Sequence, residues 1–155
     1  MLQRRPCDLE QKTNLLSLKV RKAFGRNIYR VGLVINPSCP FLGCSPDRRV
    51  YDPEETDGHW GLLEFKCTIA ESVSQCECLK IIRNSSNNKL QLKKTHLYYY
   101  QVMGQMRITC AKWCDFFANE KSDFFVDRIY FDEELFNVMI DELAIFFFMY
   151  FLSKM

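Results

Sequence analysis

The chain has 155 residues, of which 48% are hydrophobic and 26% charged. That length suits one domain burying roughly 70% of its unfolded surface, and the composition excludes a globally disordered chain. A net charge of +2 neither requires nor excludes nucleic acid, because a nucleic-acid protein needs only a local basic groove.

Residues 1–14 are polar and without pattern and are expected to be mobile. They carry charge but no apolar h-region, so no secretory signal is read. Leu15 and Leu18 give residues 15–24 a short helical spacing. From Asn27 the stretch NIYRVGLVI is β-branched and apolar and closes at Asn36-Pro37, which predicts a strand and then a turn. A second strand is expected over 41–44, or resuming at 49–51 beyond a bend at Ser45-Pro46. DPEETDG forms a loop, with Asp57-Gly58 as the turn signal before the strand GLLEFKC. Thr68, with Glu71 three residues on, reads as the capping box of a helix running to about Leu79.

RNSSNNK is a polar loop, and HLYYYQVMGQMRIT reads as a helix. KWCDFFA and FFVDRIYF are expected as two strands joined by the hairpin loop NEKSD. Asp132 then caps a closing helix with Glu133 and Glu134 in its first turn, where the helix dipole favours acids. Leu135, Val138, Met139, Leu143, Phe146, Phe147 and Tyr150 form its apolar face. Its tail LAIFFFMYFL is ten apolar residues, short of the ~20 that span a bilayer. The tail reads as a helix end packed into a core or against a partner, such as a second copy of the chain. The order of elements predicts an α+β (mixed α/β) domain with one central sheet, soluble, intracellular and not membrane-bound.

Eight cysteines include no C-x-x-C unit, and His59 and His96 show no ligand spacing. Cys110 and Cys114, four apart, are conceivable as a zinc pair, but free buried thiols in a reducing compartment are the preferred reading.

One set of residues asks for chemistry. Glu64 and Lys66 lie two apart on a strand and share a face, while Leu63 and Phe65 point to the other face and fill the core. Asp47, just after Pro46, comes from the preceding strand or its bend. Mg²⁺ or Mn²⁺ wants hard oxygen ligands and keeps several waters, so Asp47 and Glu64 are the natural pair, with the main-chain carbonyl of Phe65 as a third oxygen. Lys66 is a compact charge suited to stabilising a phosphorane-like transition state. Alone, D-x16-E-x-K is a weak signal, since E-x-K is commonly a solvated pair on a strand.

The ordered motifs LGCSPD, GLLEFKC and YYYQVMGQM are more specific together. They resemble the YqaJ-like viral recombinase group of the PD-(D/E)xK nuclease superfamily, which also holds lambda-type exonuclease. The resemblance covers about residues 28–152. It implies a restriction-endonuclease-like core over 28–155, with 1–27 a divergent segment that lacks the family's usual N-terminal helices. By carry-over Asp47 and Glu64 look like metal ligands, Lys66 like the catalytic lysine, and Gln101 like a residue lining the site.

What the resemblance implies is a metal-dependent deoxyribonuclease, an exonuclease on duplex ends, serving recombination of viral or mobile-element type. Homo-oligomers and a single-strand annealing partner belong to the same implication, as does a nuclear location in a eukaryote. The alternative is a DNA-binding module of the same fold that has lost turnover.

Two departures stand out. The family's glycine after S-P-D is Arg48 here, followed by Arg49, and the family's upstream glutamate is not found in residues 1–27. Arg48 and Arg49 are candidate phosphate contacts or edge-strand residues. Lys93 and Lys94, beside Lys89, form a basic cluster that would meet the DNA backbone or simply rim a loop. Gln105 joins these DNA-binding candidates on the glutamine helix. Tyr98, Tyr99 and Tyr100 cannot share one helix face, so at least one belongs in the core. His96 reads as a cap, and His59 and Trp60 either flank DNA or close the hairpin.

Overall fold

The structure, a computed structural model, describes residues 6–67, 72–83, 88–119 and 123–154. Helix α1 spans Pro6–Phe24. Four strands follow: β1 Asn27–Tyr29, β2 Val34–Asn36, β3 Cys39–Cys44 and β4 Arg48–Tyr51. Strand β5 covers Trp60–Cys67, and a hairpin is formed by β6 Leu79–Arg83 and β7 Asn88–Leu92. Helix α2 is Leu97–Thr109, strands β8 and β9 are Trp113–Asn119 and Phe124–Tyr130, and helix α3 is Glu133–Ile145.

The central sheet has five strands in the order β1-β4-β5-β8-β9, and β2-β3 and β6-β7 are separate hairpins. All neighbours in the central sheet are antiparallel except β5 and β8, which run parallel. A parallel pair needs a long crossover, and the β6-β7 hairpin with α2 supplies it.

Alternation along β5 divides the core in two. Leu63 and Phe65 join Leu16 and Val20 of α1, Ile28, Val50, Trp113 and Phe117 under one face. Leu62 joins Val102, Met103 and Met106 of α2 with Leu79, Leu92, Cys114, Phe116 and Ile129 over the other. Gly61 has to be glycine for this packing, because a Cβ there would stand 2.3 Å from the Trp113 ring. Trp113 is pinned further by donating its indole N–H to the carbonyl of Gly58 at 2.7 Å.

Helix α2 starts where His96 Nδ1 accepts the peptide N–H of Tyr98 at 3.2 Å, so His96 is a cap. It stops at Cys110, whose φ of 56° is left-handed, with the N–H of Ala111 returning to the carbonyl of Met106 at 2.9 Å. This is the Schellman closure, made here without glycine. Of the three tyrosines Tyr99 is buried, Tyr98 half-buried and Tyr100 exposed. Asp132 caps α3 by accepting the N–H of Leu135 at 3.1 Å.

Several sequence expectations need correction. Residues 6–14, read as patternless, continue α1, and α1 carries core residues. NIYRVGLVI is two short strands in different sheets, with the turn at Pro37-Ser38 as expected. The helix expected up to Leu79 is absent from its described part, where a single 3₁₀ turn at Val73–Gln75 leads into β6. Its capping box, Thr68 and Glu71, lies outside the described residues.

The closing helix also differs. It runs on through a π-type stretch, Phe146–Phe151, so Glu133–Lys154 is one helical run of 22 residues. By length and composition that run is long and apolar enough to cross a membrane, and only 6% of its most apolar window is buried. Leu135 and Met139 pack on the core, but Val138, Phe146 and Tyr150 of the expected apolar face are exposed. Phe147 stacks on Phe41 of β3 with ring centroids 5.1 Å apart.

Candidate active site

The antiparallel register opposes Arg48 to Leu63, which brings Asp47, one residue earlier, to the level of Glu64. Asp47 Oδ2 accepts the peptide N–H of Phe65 at 2.8 Å. The acid from the bend is thereby clamped to the Glu-x-Lys strand itself.

Glu64 is only 3% exposed. Its Oε1 accepts from Lys66 Nζ at 2.6 Å and from Gln101 Nε2 at 2.8 Å, and its Oε2 accepts from Gln105 Nε2 at 3.0 Å. Gln101 and Gln105 are one helical turn apart, so α2 presents both amides to one carboxylate. Lys66 Nζ also lies 4.6 Å from the centre of the Tyr98 ring, a cation–π contact. Tyr98 therefore helps to hold the lysine, a role that neighbouring tyrosines in the sequence do not reveal.

Burial and the Glu64 carboxylate push Asp47 above the ordinary carboxylate range, against the pull of the Phe65 peptide, Lys66 and Arg48. Burial, and then Glu64, push the Cys44 thiol up to about 11. The same causes in the same order raise fully buried Cys114 well above its usual value. Neither thiol supplies a nucleophile at neutral pH. Gln105 Oε1 is buried without a hydrogen-bond partner, the one such side-chain atom among the described residues. Two carboxylates held together against their repulsion, beside an unsatisfied amide oxygen, are hard donors suited to a small divalent cation.

Among the described residues no group of three His, Cys, Asp or Glu side chains is placed to hold a metal ion. A metal centre here would rest on two carboxylates, completed by main-chain oxygen and water. The zinc pair conceived at Cys110 and Cys114 finds no further ligands among the described residues, and both thiols are free, one exposed and one buried. The side chains of Asp8 and Glu10, the upstream acids in the sequence, lie outside the described residues.

The structure brings Asp47, Glu64, Lys66 and Gln101 together as the sequence proposed, and it redirects several others. Arg48 is buried, donating from Nη2 to Asn14 at 2.8 Å, from Nε to Ser17 at 3.2 Å and from Nη1 to the Asp47 carbonyl at 2.6 Å. It ties α1 to the site and is not presented to phosphate. Gln105 is likewise buried on Glu64 and does not face DNA. Lys94 pairs with the α3 cap Asp132 at 3.2 Å, and half-buried Lys93 has its peptide N–H on the Cys78 carbonyl at 2.9 Å. Arg49 is exposed, its guanidinium over the Trp60 ring, with no carboxylate partner among the described residues.

A mixed sheet that sets an aspartate beside a Glu-x-Lys strand, under a glutamine-bearing helix, defines a protein of the PD-(D/E)xK class. The chain belongs to the YqaJ-like viral recombinase domain family, whose profile matches residues 11–112. Among solved structures it is similar to an alkaline exonuclease, LHK-Exo, from Laribacter hongkongensis, with 24% identity and a TM-score of 0.65. The likeness to the same exonuclease in complex with dAMP has the same identity and TM-score. In both cases 90% of this chain aligns, and it spans 63% of the length of the exonuclease chain. No curated protein matches the chain significantly.

Proposed function

We propose that the chain is a metal-dependent deoxyribonuclease, acting as an exonuclease on duplex ends in recombination of viral or mobile-element type, inside the cell. The observation that carries this reading is the cluster of Asp47, Glu64 and Lys66: Asp47 is clamped to the Phe65 peptide at 2.8 Å and pushed up by burial and then by Glu64, and Lys66 Nζ lies 2.6 Å from Glu64. Family membership supports it independently.

Asp47 and Glu64 would hold Mg²⁺ or Mn²⁺, with the Phe65 carbonyl as a third oxygen. The bound cation would neutralise charge on the scissile phosphate and acidify a water. Lys66, steadied by the Tyr98 ring, places a compact positive charge where the phosphate develops negative charge. Gln101 and Gln105 orient the Glu64 carboxylate. Gln101, exposed at the rim, is also placed to hydrogen-bond the attacking water or the DNA. Homo-oligomerisation and a single-strand annealing partner fit the same role.

A second reading, a DNA-binding module without turnover, draws on the lack of a third acid at the site among the described residues. Degradation of linear duplex DNA with Mg²⁺ or Mn²⁺ separates the two. The nuclease reading expects cleavage that chelator stops and that Lys66→Ala and Glu64→Ala each lower at least a hundredfold. A folded wild type that retains DNA but never cuts it, with either metal, leaves the binding module.

A further inference from the structure

The sheet face that bears Glu64 and Lys66 does not end at the site. Trp60, Leu62, Glu64 and Lys66 alternate along β5 and so point the same way. In the register Arg49 lies opposite Leu62, Tyr51 opposite Trp60, and Tyr29 opposite Arg49. Tyr29, Arg49, Tyr51 and Trp60 therefore stand on the Glu64 face, at its β1-β4 margin.

These side chains form one connected layer. The Trp60 ring lies 5.3 Å from that of Tyr29 and 5.1 Å from that of Tyr51, and the Tyr51 ring is 5.6 Å from His59. The Arg49 guanidinium sits 4.5 Å from the Trp60 ring centre. Trp60 is 40% exposed and Tyr29 48%. On the opposite face the Phe65–Phe117 pair occupies the core under α1. Cross-strand aromatic pairing explains why such rings associate. It does not explain why this layer stays open to solvent with an unpaired guanidinium on top.

We propose that this layer is a binding platform for one strand of DNA, whose bases stack on Trp60 and Tyr29 while Arg49 meets its phosphates. The inference rests on the nuclease reading for the position of the reacting centre. Two features single out nucleic acid as the occupant. One is charge complementarity, since Arg49 lacks a carboxylate among the described residues. The other is continuity: Asp47, just before β4, and Arg49 and Tyr51 on it follow one another at alternate positions, spanning about 13 Å, the rise of roughly four stacked nucleotides. A strand lying on the platform would thus lead to Asp47. Stacking of this kind is tolerant of sequence, as a processive or end-directed enzyme requires.

The chain has two tryptophans, and Trp113 is 0% exposed, so quenching of indole emission by a ligand reports on Trp60. A single-stranded oligodeoxynucleotide is titrated into the full chain in chelator, with binding followed in parallel by anisotropy of a labelled strand. The platform predicts saturable quenching. It further predicts about tenfold weaker binding for Trp60→Ala, recovered largely by Trp60→Phe, which keeps a stacking ring. Arg49→Ala should weaken binding and lower the slope of log K against log salt by about one.

Emission that stays unquenched in the folded wild type, whether the strand is bound elsewhere or not at all, overturns the platform. Wild-type affinity in Trp60→Ala does the same. Cleavage is scored separately: quenching without metal-dependent cleavage leaves the platform and removes the nuclease, and cleavage without quenching does the reverse.

Discussion

The central sheet carries a cluster of carboxylates on each face, and the two clusters are partnered differently. On the α1 face Asp52, Glu55 and Asp115 surround Arg26 and Arg128. Arg128 grips Asp115 with two bonds, 2.8 and 3.0 Å, and reaches Asp52 at 2.9 Å and Glu55 at 2.7 Å. Arg26 spans Asp115 at 2.6 Å and Asp52 at 3.0 Å. Tyr130 adds a hydroxyl donor to Glu55 at 3.0 Å, and the Arg128 guanidinium lies 3.8 Å from the Trp113 ring centre.

Burial alone would raise Asp52, but hydrogen bonds from Arg128 and the Glu54 peptide and the charge of Arg26 hold it below the ordinary range. The Asp57 peptide, Arg128 and Tyr130 hold Glu55 below it too, against burial. On the other face Asp47 is pushed up. Planar guanidinium forks matched to carboxylates close a structural network. One lysine and two neutral amides serve the Glu64 carboxylate of the second cluster, and its aspartate is pushed up where Asp52 and Glu55 are held down; the proposed site rests on that contrast.

The largest expected effect breaks the closed cluster. Arg128→Ala leaves three buried acids with Arg26 as their one guanidinium, which reaches Asp52 and Asp115 but has no bond to Glu55, and should destabilise the fold by about 3–5 kcal/mol in urea unfolding. Lys66→Ala should leave the urea midpoint within about 1 kcal/mol while abolishing cleavage, so the two substitutions separate stability from activity. A midpoint falling as far in Lys66→Ala as in Arg128→Ala would erase the distinction between the faces.

Acid titration should read the two clusters with opposite signs. Asp52 and Glu55, held low, contribute stability that is present above the ordinary carboxylate pKa and lost as pH falls through their lowered values. Asp47, held high, favours the fold when protonated, and that contribution is lost as pH rises through its raised value. Urea midpoints from pH 3 to 7 should therefore show a shallower acid limb in Asp52→Asn. Asp47→Asn should instead make the metal-free chain more stable near pH 7, by up to about 0.5 kcal/mol. A loss of stability in Asp47→Asn at neutral pH would mean that the Phe65 peptide bond outweighs the repulsion. The smallest effect is expected from Gln105→Leu, which removes an unsatisfied oxygen along with one donor to Glu64. Its stability should stay within about 1 kcal/mol and its cleavage rate fall about tenfold.

What could be read from the sequence was local and periodic. The strand GLLEFKC declares its two faces by alternation, and Asp47 is placed by the chain's return after Ser45-Pro46. Cap chemistry fixed the starts of α2 and α3 at His96 and Asp132. The closed ion network was not legible, because its members at positions 26, 52, 55, 115 and 128 meet only through the sheet register. Arg48 stood open between a phosphate contact and a strand edge while α1 was read over residues 15–24 alone. Once α1 is present, its Asn14 and Ser17 offer acceptors that turn the arginine inward. The β6-β7 hairpin went unread: a helix was expected up to Leu79, where β6 begins, and a polar loop over 83–89, because the pairing of Leu79 with Leu92 is long-range and leaves no local signal. Gln105 reads as the next turn of an amphipathic helix, and only the fold shows it bound to Glu64.

The most direct test of the Asp47–Glu64 cluster is a calorimetric titration of the metal-free chain with Mn²⁺ near neutral pH, beside Asp47→Asn and Glu64→Gln. The account predicts saturable binding to the wild type that each substitution removes, weakening as pH falls through the raised Asp47 value. Binding that survives in both variants would place the metal elsewhere and contradict the assignment of the site.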